Sequence, residues 1–236
     1  MGFDYSLSAS KLNLLKECRR CFYDANVLKI ERPRGIFPSL PGGVDRVMKE
    51  YMDRHRGKLP LELCQDLTGK LWGSVSEITK LRHWKSGLKT LVQVGTKTVS
   101  LIGALDDLIL EPNHTFSAYD TKTKGDLPKD DGSQYYQLQL DVYGLLLQSN
   151  GMTPSGKGYL CYWYPVAKAG EGIEFRSKLY TLTVDPARAV ADITDAVNLM
   201  QGGQPDHNPA CEFCRFAQKR VEAAMKAVAQ PMSLTA

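Results

Sequence analysis

The chain has 236 residues, a net charge of +4, and apolar (43%) and charged (24%) fractions ordinary for a soluble globular protein with one sizeable core. That modest positive charge permits nucleic-acid binding without demanding it. No signal peptide is visible and no apolar run approaches membrane-spanning length, so the expectation is a cytoplasmic protein with no membrane partner, in which six cysteines favour metal or cluster ligation over disulfides.

In chain order, Ser8 reads as the N-cap of a short amphipathic helix whose Leu12, Leu14 and Leu15 are followed by Phe22 and Tyr23. Cys18 and Cys21 form a Cys-x-x-Cys pair there. Residues 29–42 are basic and rich in proline and glycine, an irregular loop. Its Lys29, Arg32 and Arg34 could touch phosphates, although a solvated basic loop explains them more plainly. From Gly43 a helical spacing resumes with Val44, Val47, Met48 and Tyr51. Residues 60–88 read as helix-like, broken by Gly69, Gly73 and Gly87. The run Lys80–Lys85 mixes basic and aromatic residues, as surfaces that stack bases and hold phosphates do. A solvated helix face with one buried tryptophan is the plainer alternative.

Strands follow at 90–94, 98–110 and 116–123, an antiparallel meander whose last two members form a hairpin around the turn signal at residues 111–114. Alternation puts Asp120, Lys122 and Lys124 on one face and Tyr119, Thr121 and Thr123 on the other, while Asp106 and Asp107 fall on opposite faces. Only an odd-numbered loop, or a bulge, brings Asp106 opposite Asp120 on the face that holds Lys122. Two carboxylates and an ammonium gathered on one exposed face suit a hard divalent cation, Mg²⁺ or Mn²⁺. A cross-strand salt bridge on a solvated face is the bland alternative.

After a charged loop with Lys124 and Lys129, residues 133–148 read as a helix. It sets Gln139 and Tyr143, four apart, on one face and leaves Asp141 solvated off that face. Residues 151–158 match the Gly-x₄-Gly-Lys phosphate loop. Gly158, however, replaces the Ser or Thr that would hold Mg²⁺, and the segment runs from helix to strand, so it reads as a turn. Residues 158–166 and 174–184 read as strands, with Cys161 in the first; Cys161 and Cys64 both read as buried structural thiols. Asp185-Pro186 opens a helix carrying Val190, Ile193, Val197 and Met200, stopped by Gly202-Gly203. The final element is Cys211-x-x-Cys214 with an Ala-rich helical tail. If the two Cys-x-x-Cys pairs meet in the fold, they make a four-cysteine site for zinc or an iron–sulfur cluster.

The succession Gly103-x-x-Asp106, Tyr119-Asp120-x-Lys122-Thr123 and Gln139-x-x-x-Tyr143 resembles the PD-(D/E)XK nuclease superfamily. More narrowly it resembles the RecB-type branch, which includes the CRISPR-associated adaptation nucleases. The entry segment Ser8-x-Ser10-x-Leu12…Cys18 extends the likeness, which covers Ser8 to about Phe216. The resemblance implies an α/β fold: a restriction-endonuclease-like core with a central mixed β-sheet flanked by helices. Residues 1–236 would be a single nuclease domain, with 8–28 and 205–228 forming a four-cysteine helical subdomain that clamps the two ends together.

It further implies a Mg/Mn-dependent deoxyribonuclease, an exonuclease on DNA ends or single strands, acting in DNA repair, recombination or CRISPR adaptation. DNA, and CRISPR adaptation or repair proteins, would be its partners. Asp106 and Asp120 would ligate the metal, assisted by the backbone carbonyl near Thr121, and Lys122 would orient the attacking water. Asp45, standing where the family has a histidine, would complete the ligand set, or else simply favour a helix start. Gln139, Tyr143 and Lys124 would hold the DNA. Family members use one N-terminal and three C-terminal cysteines for a 4Fe–4S cluster; here Cys18, Cys21, Cys211 and Cys214 give two plus two, so a cluster is expected with Zn²⁺ as the alternative. The missing histidine leaves open a catalytically weak DNA-end-binding adaptor in a CRISPR or repair complex. A third reading is a zinc-stabilised structural protein whose hairpin carboxylates only form salt bridges.

Overall fold

A computed structural model describes residues 2–33, 35, 38–63 and 65–229; Arg34 and Cys64, singled out above, lie outside them. Strand β1 (Tyr5–Leu7) runs directly into helix α1 (Ala9–Glu17), where the N-cap Ser8 side chain accepts the Lys11 amide as its spacing predicts. Leu12 and Leu15 bury completely or nearly so, each contributing on the order of 2 kcal/mol of hydrophobic stabilisation. A short helix α2 (Arg19–Tyr23) follows, then a π-helical turn at Asp24–Leu28 that Lys29 ends in a left-handed conformation.

Helix α3 (Ser39–Asp53) begins four residues before the expected Gly43. Pro41 is tolerated because its missing N–H falls in the first turn, where helical donors have no partner anyway. Among the described residues of 60–88 only α4 (Val75–Arg82) is a full helix, opened by a Ser74–Glu77 capping box; a 3₁₀ turn (Leu61–Leu63) and a two-residue strand β2 (Lys70–Leu71) precede it. Gly69 and Gly73 adopt φ of +94° and +74°, which interrupts the helical pattern read from the sequence.

The expected strand 98–110 is two strands in two sheets. β3 (Leu88–Val94) and β4 (Lys97–Gly103) pair antiparallel, and β4 pairs parallel with β1, giving a three-stranded sheet ordered β1-β4-β3. β5 (Asp107–Leu110) belongs instead to a five-stranded mixed sheet ordered β2-β5-β6-β7-β8, with β6 (Phe116–Thr123), β7 (Lys157–Ala169) and β8 (Gly172–Thr183). The meander is therefore broken at Ala104–Asp106. Helix α5 (Gln137–Ser149) settles on the end of β4, where a Cβ at Gly103 would lie 2.4 Å from Leu146 Cδ1 and force that side chain to shift.

α5 forms the crossover between the parallel strands β6 and β7, and α6 (Pro186–Gln201) packs beside it. Alternation along the strands divides the core. Leu108, Ala118 and Leu160 join the α5–α6 side, while Ile109, Tyr119, Cys161 and Trp163 pack against Met52 of α3 and Leu63, Leu67 and Leu71. The 151–158 segment is a turn leading into β7, with Gly151 and Gly156 at positive φ, and no helix follows it. Helix α7 (Glu212–Ala229) returns to α2. Mixed sheets flanked by helices are the architecture the sequence implied. No described helix is long and apolar enough to cross a membrane.

Candidate active site

The geometry of the site begins with the β5–β6 turn. Register pairs Asp107 with Tyr119 and Leu110 with Phe116, and the Glu111 amide donates to the Thr115 carbonyl at 2.9 Å. That leaves Pro112, Asn113 and His114 as a three-residue loop, with His114 in the left-handed region (φ 63°) and the Asn113 side chain accepting from Thr115. The count is odd. Carried one residue beyond β5, the register sets Asp106 against Asp120, and the Thr121 amide donates to Asp106 Oδ2 at 3.0 Å.

Asp120 is 2% exposed. Its Oδ1 accepts from Gln139 Nε2 at 2.7 Å; the same amide nitrogen donates to the Tyr143 hydroxyl at 2.7 Å, which donates in turn to the Ala104 carbonyl at 2.9 Å. α5 thus anchors the carboxylate from behind, through the two residues whose four-residue spacing put them on one face. Lys122 Nζ stands 2.5 Å from Asp120 Oδ2, yet that buried oxygen has no aligned hydrogen bond. Burial, then the charge of Asp106, lifts the Asp120 carboxyl to about 6 against the pull of Lys122.

A second ammonium, which the sequence reading did not single out, completes the cluster. Lys49 lies one turn after Asp45 on α3 and reaches Asp45 Oδ2 at 2.8 Å and Asp106 Oδ1 at 3.0 Å. Burial lowers its pKa, but Asp106 and Asp45 outweigh burial and hold the ammonium above the usual lysine range. Asp45 reaches Asp106 only through Lys49. The spacing that could have revealed Lys49 is i, i+4 from Asp45, a pattern too common on helices to stand out.

Behind Asp106 lies an ionic network, also missed. Asp107, 2% exposed, is gripped by Arg56 and by Arg82 Nη2 at 3.1 Å, and Arg82 Nη1 reaches Asp53 at 2.8 Å. Arg82 Nε donates to the Asp106 carbonyl at 2.7 Å, so the network fixes the backbone that carries the site carboxylate. Asp141, expected in solvent, is instead 2% exposed: Arg188 reaches it at 2.8 Å and the Asp185 amide donates to it at 2.8 Å, tying α5 to the start of α6. A buried carboxylate with a guanidinium partner on a distant helix leaves no local mark in the sequence.

A groove of about 470 Å³ leads from Ser8 and Lys11 past Trp84 to Gln139 and Tyr143, and among the described residues no acidic side chain lines it. Trp84 is 64% exposed, with Lys85 Nζ 5.3 Å from its ring, so the expectation of one buried tryptophan in a solvated helix face fails at Trp84. Lys124 follows the site strand and lies 6.0 Å from the Tyr162 ring. Arg32 is no open phosphate contact: it pairs with Glu17 at 2.7 Å, covers the Phe213 ring and donates to Cys211 Sγ at 3.6 Å.

Cys18, Cys21, Cys211 and Cys214 converge from opposite ends of the chain, all buried, with every Sγ within 4.8 Å of the others. Sγ separations are 3.6 Å (Cys18–Cys214), 3.7 Å (Cys21–Cys211) and 3.9 Å (Cys21–Cys214). A tetrahedral zinc with bonds of about 2.3 Å sets sulfurs roughly 3.8 Å apart, so the thiols fit a single ion. A cubane cluster, with four irons between the sulfurs, needs them further apart than this. At the other centre, hard oxygen donors from Asp106 and Asp120, one of them buried without an aligned donor, fit a divalent cation.

No curated protein matches the sequence. Among solved structures, the crystal structure of SSO0001 aligns with 100% of this chain and 90% of its own at 17% identity and a TM-score of 0.47. The model of the PD-(D/E)XK nuclease superfamily matches residues 44–218, a span that contains Asp106, Asp120, Lys122 and Gln139, and the chain belongs to that superfamily.

Proposed function

We propose that the protein is a divalent-metal-dependent deoxyribonuclease of the RecB-type branch, cutting phosphodiesters at DNA ends or in single strands. The observation that carries this reading is the meeting of Asp106, Asp120 and Lys122, with Gln139, which holds Asp120, also lining the neighbouring groove. Asp106 and Asp120 would hold a Mg²⁺ or Mn²⁺ ion, with the backbone near Thr121 assisting; the ion supplies Lewis-acid polarisation of the scissile phosphate. Lys122 orients the attacking water and offsets charge as it builds on the phosphate oxygens. Gln139, itself held by Tyr143, fixes the Asp120 carboxylate through Oδ1 and leaves Oδ2 beside Lys122. Trp84 and Lys85 offer a face for an unstacked base beside a cation, which favours a single-stranded path, and Lys124 is placed for a flanking phosphate.

At the clamp, residues 8–28 and 205–228 act as a subdomain closing one nuclease domain. The family resemblance favours a 4Fe–4S cluster there, while the sulfur spacing is compatible with a single Zn²⁺. Metal analysis separates them: about one zinc per colourless chain supports the ion, whereas brown protein with iron and sulfide refutes it. A role in DNA repair, recombination or CRISPR adaptation rests on the family resemblance. The nuclease reading is tested by incubating end-labelled single-stranded and duplex DNA with the protein and Mn²⁺ or Mg²⁺. Cleavage stopped by EDTA supports it; no cleavage of either substrate with either ion contradicts it and leaves the end-binding adaptor.

A further inference from the structure

We propose that the Lys49 ammonium is a resident cation of the active centre, standing where a second divalent ion would otherwise sit between Asp45 and Asp106, so that the centre takes one divalent ion. The proposal rests on the metal-nuclease reading above and specifies its metal count. Lys49 Nζ makes hydrogen-bond-length contacts with carboxylates from two separate elements, 2.8 Å to Asp45 on α3 and 3.0 Å to Asp106 before β5.

An ordinary helix-surface pair looks different. Arg46–Glu50, on the same helix at the same spacing, is exposed at both ends (69% and 56%) and makes no further hydrogen bond or ion pair among the described residues. Lys49 is 27% exposed, turns inward and reaches a second segment, the residue before β5, at the site itself.

The carboxylates are arranged to match. Among the described residues, the four thiols are the one group of three or more ligand side chains within reach of a common ion; Asp45 does not converge with Asp106 and Asp120. Each site carboxylate has its own ammonium instead, Lys49 for Asp106 and Lys122 for Asp120. Three carboxylates with two ammoniums carry a net charge of −1, whereas the same cluster without Lys49 would carry −2. Lys49 therefore keeps the carboxylates from repelling one another in the metal-free protein and repels a divalent ion approaching Asp106. Like charges a few ångströms apart in partly screened surroundings change an affinity by about tenfold or more.

The experiment is a Mn²⁺ titration of the full chain, loaded at its cysteine site and free of DNA, read by calorimetry and by the Mn²⁺ electron-spin signal. The wild type should bind one Mn²⁺ at the carboxylate centre. Lys49→Gln should bind it about tenfold more tightly, and Lys49→Arg, which keeps the charge, should stay within about threefold of the wild type. Two Mn²⁺ ions at the wild-type carboxylate centre overturn the proposal, and that count depends on no variant folding. So does a Lys49→Gln affinity unchanged within about threefold, or weaker. Asp120→Asn, run alongside, separates the layers: if it binds Mn²⁺ as the wild type does, the metal-nuclease reading itself fails. If it loses Mn²⁺ while Lys49→Gln changes nothing, only the role of Lys49 falls.

Discussion

The Thr121 amide donates a 3.0 Å hydrogen bond to the Asp106 carboxylate, locking an acid that precedes β5 to the strand that carries Asp120 and Lys122. This bond exists because the turn at 112–114 has three residues; an even count would have turned Asp106 to the other face. Asp106→Asn keeps an oxygen to accept the Thr121 amide, while it removes the charge and turns an amide NH₂ toward the partly exposed Lys49 ammonium. The variant should unfold at the wild-type temperature within a few degrees, while kcat/KM for DNA cleavage falls by at least about a hundredfold. Circular dichroism and a cleavage time course check the two halves.

The raised Asp120 carboxyl gives a pH signature. Its folded-state value, about 6, lies above the ordinary 3.8, because burial and the Asp106 charge both disfavour ionisation. The folded protein therefore binds this proton more tightly than the unfolded chain. The resulting stability is fully present below the ordinary value and is lost as pH rises through the folded one. Asp120→Asn carries no such charge. Without divalent ions, thermal unfolding should show the variant gaining on the wild type as pH rises through about 4 to 6 and holding that advantage above.

Arg82 connects stability to catalysis. It shares the buried Asp107 with Arg56 and also donates to the Asp106 carbonyl. Arg82→Ala should cost about 3 kcal/mol, the scale for stripping one partner from a buried carboxylate. Cleavage should fall as well, in the fraction that remains folded, because the backbone under Asp106 loses its donor. Arg82→Lys keeps a charge without the fork and should lie between. Denaturant melts and rates on the same samples check both effects.

Trp84 tests the route of the strand. Stacking of a base on an aromatic face contributes about 1–3 kcal/mol, so Trp84→Ala should weaken single-stranded DNA binding roughly tenfold. Measured by fluorescence anisotropy in an Asp120→Ala background, where nothing is cut, the loss should be smaller for blunt duplex. Equal affinity for the single strand with and without Trp84 would place the strand elsewhere.

The features legible beforehand were those with a short repeat or a fixed spacing. Asp120 beside Lys122, the Gln139–Tyr143 pair and the Ser8 cap are each present in the fold; the two Cys-x-x-Cys spacings were visible, but their meeting belongs to the fold. What stayed hidden depends on packing between distant segments. The break of 98–110 into strands of different sheets shows only once β4 pairs with β1 and β3 while β5 pairs with β2 and β6. The burial of Asp141 needs Arg188, nearly fifty residues on. Lys49 could be seen as a helical neighbour of Asp45, but its reach to Asp106 arises only once α3 packs against β6.

The most direct test of the account compares wild type with Asp120→Ala and Lys122→Ala on end-labelled DNA in Mn²⁺, with folding of each checked by circular dichroism. The account predicts metal-dependent cleavage by the wild type and none above background by either folded variant. Cleavage by folded Asp120→Ala at the wild-type rate would contradict it, since the strand that carries that carboxylate would then have no part in the chemistry.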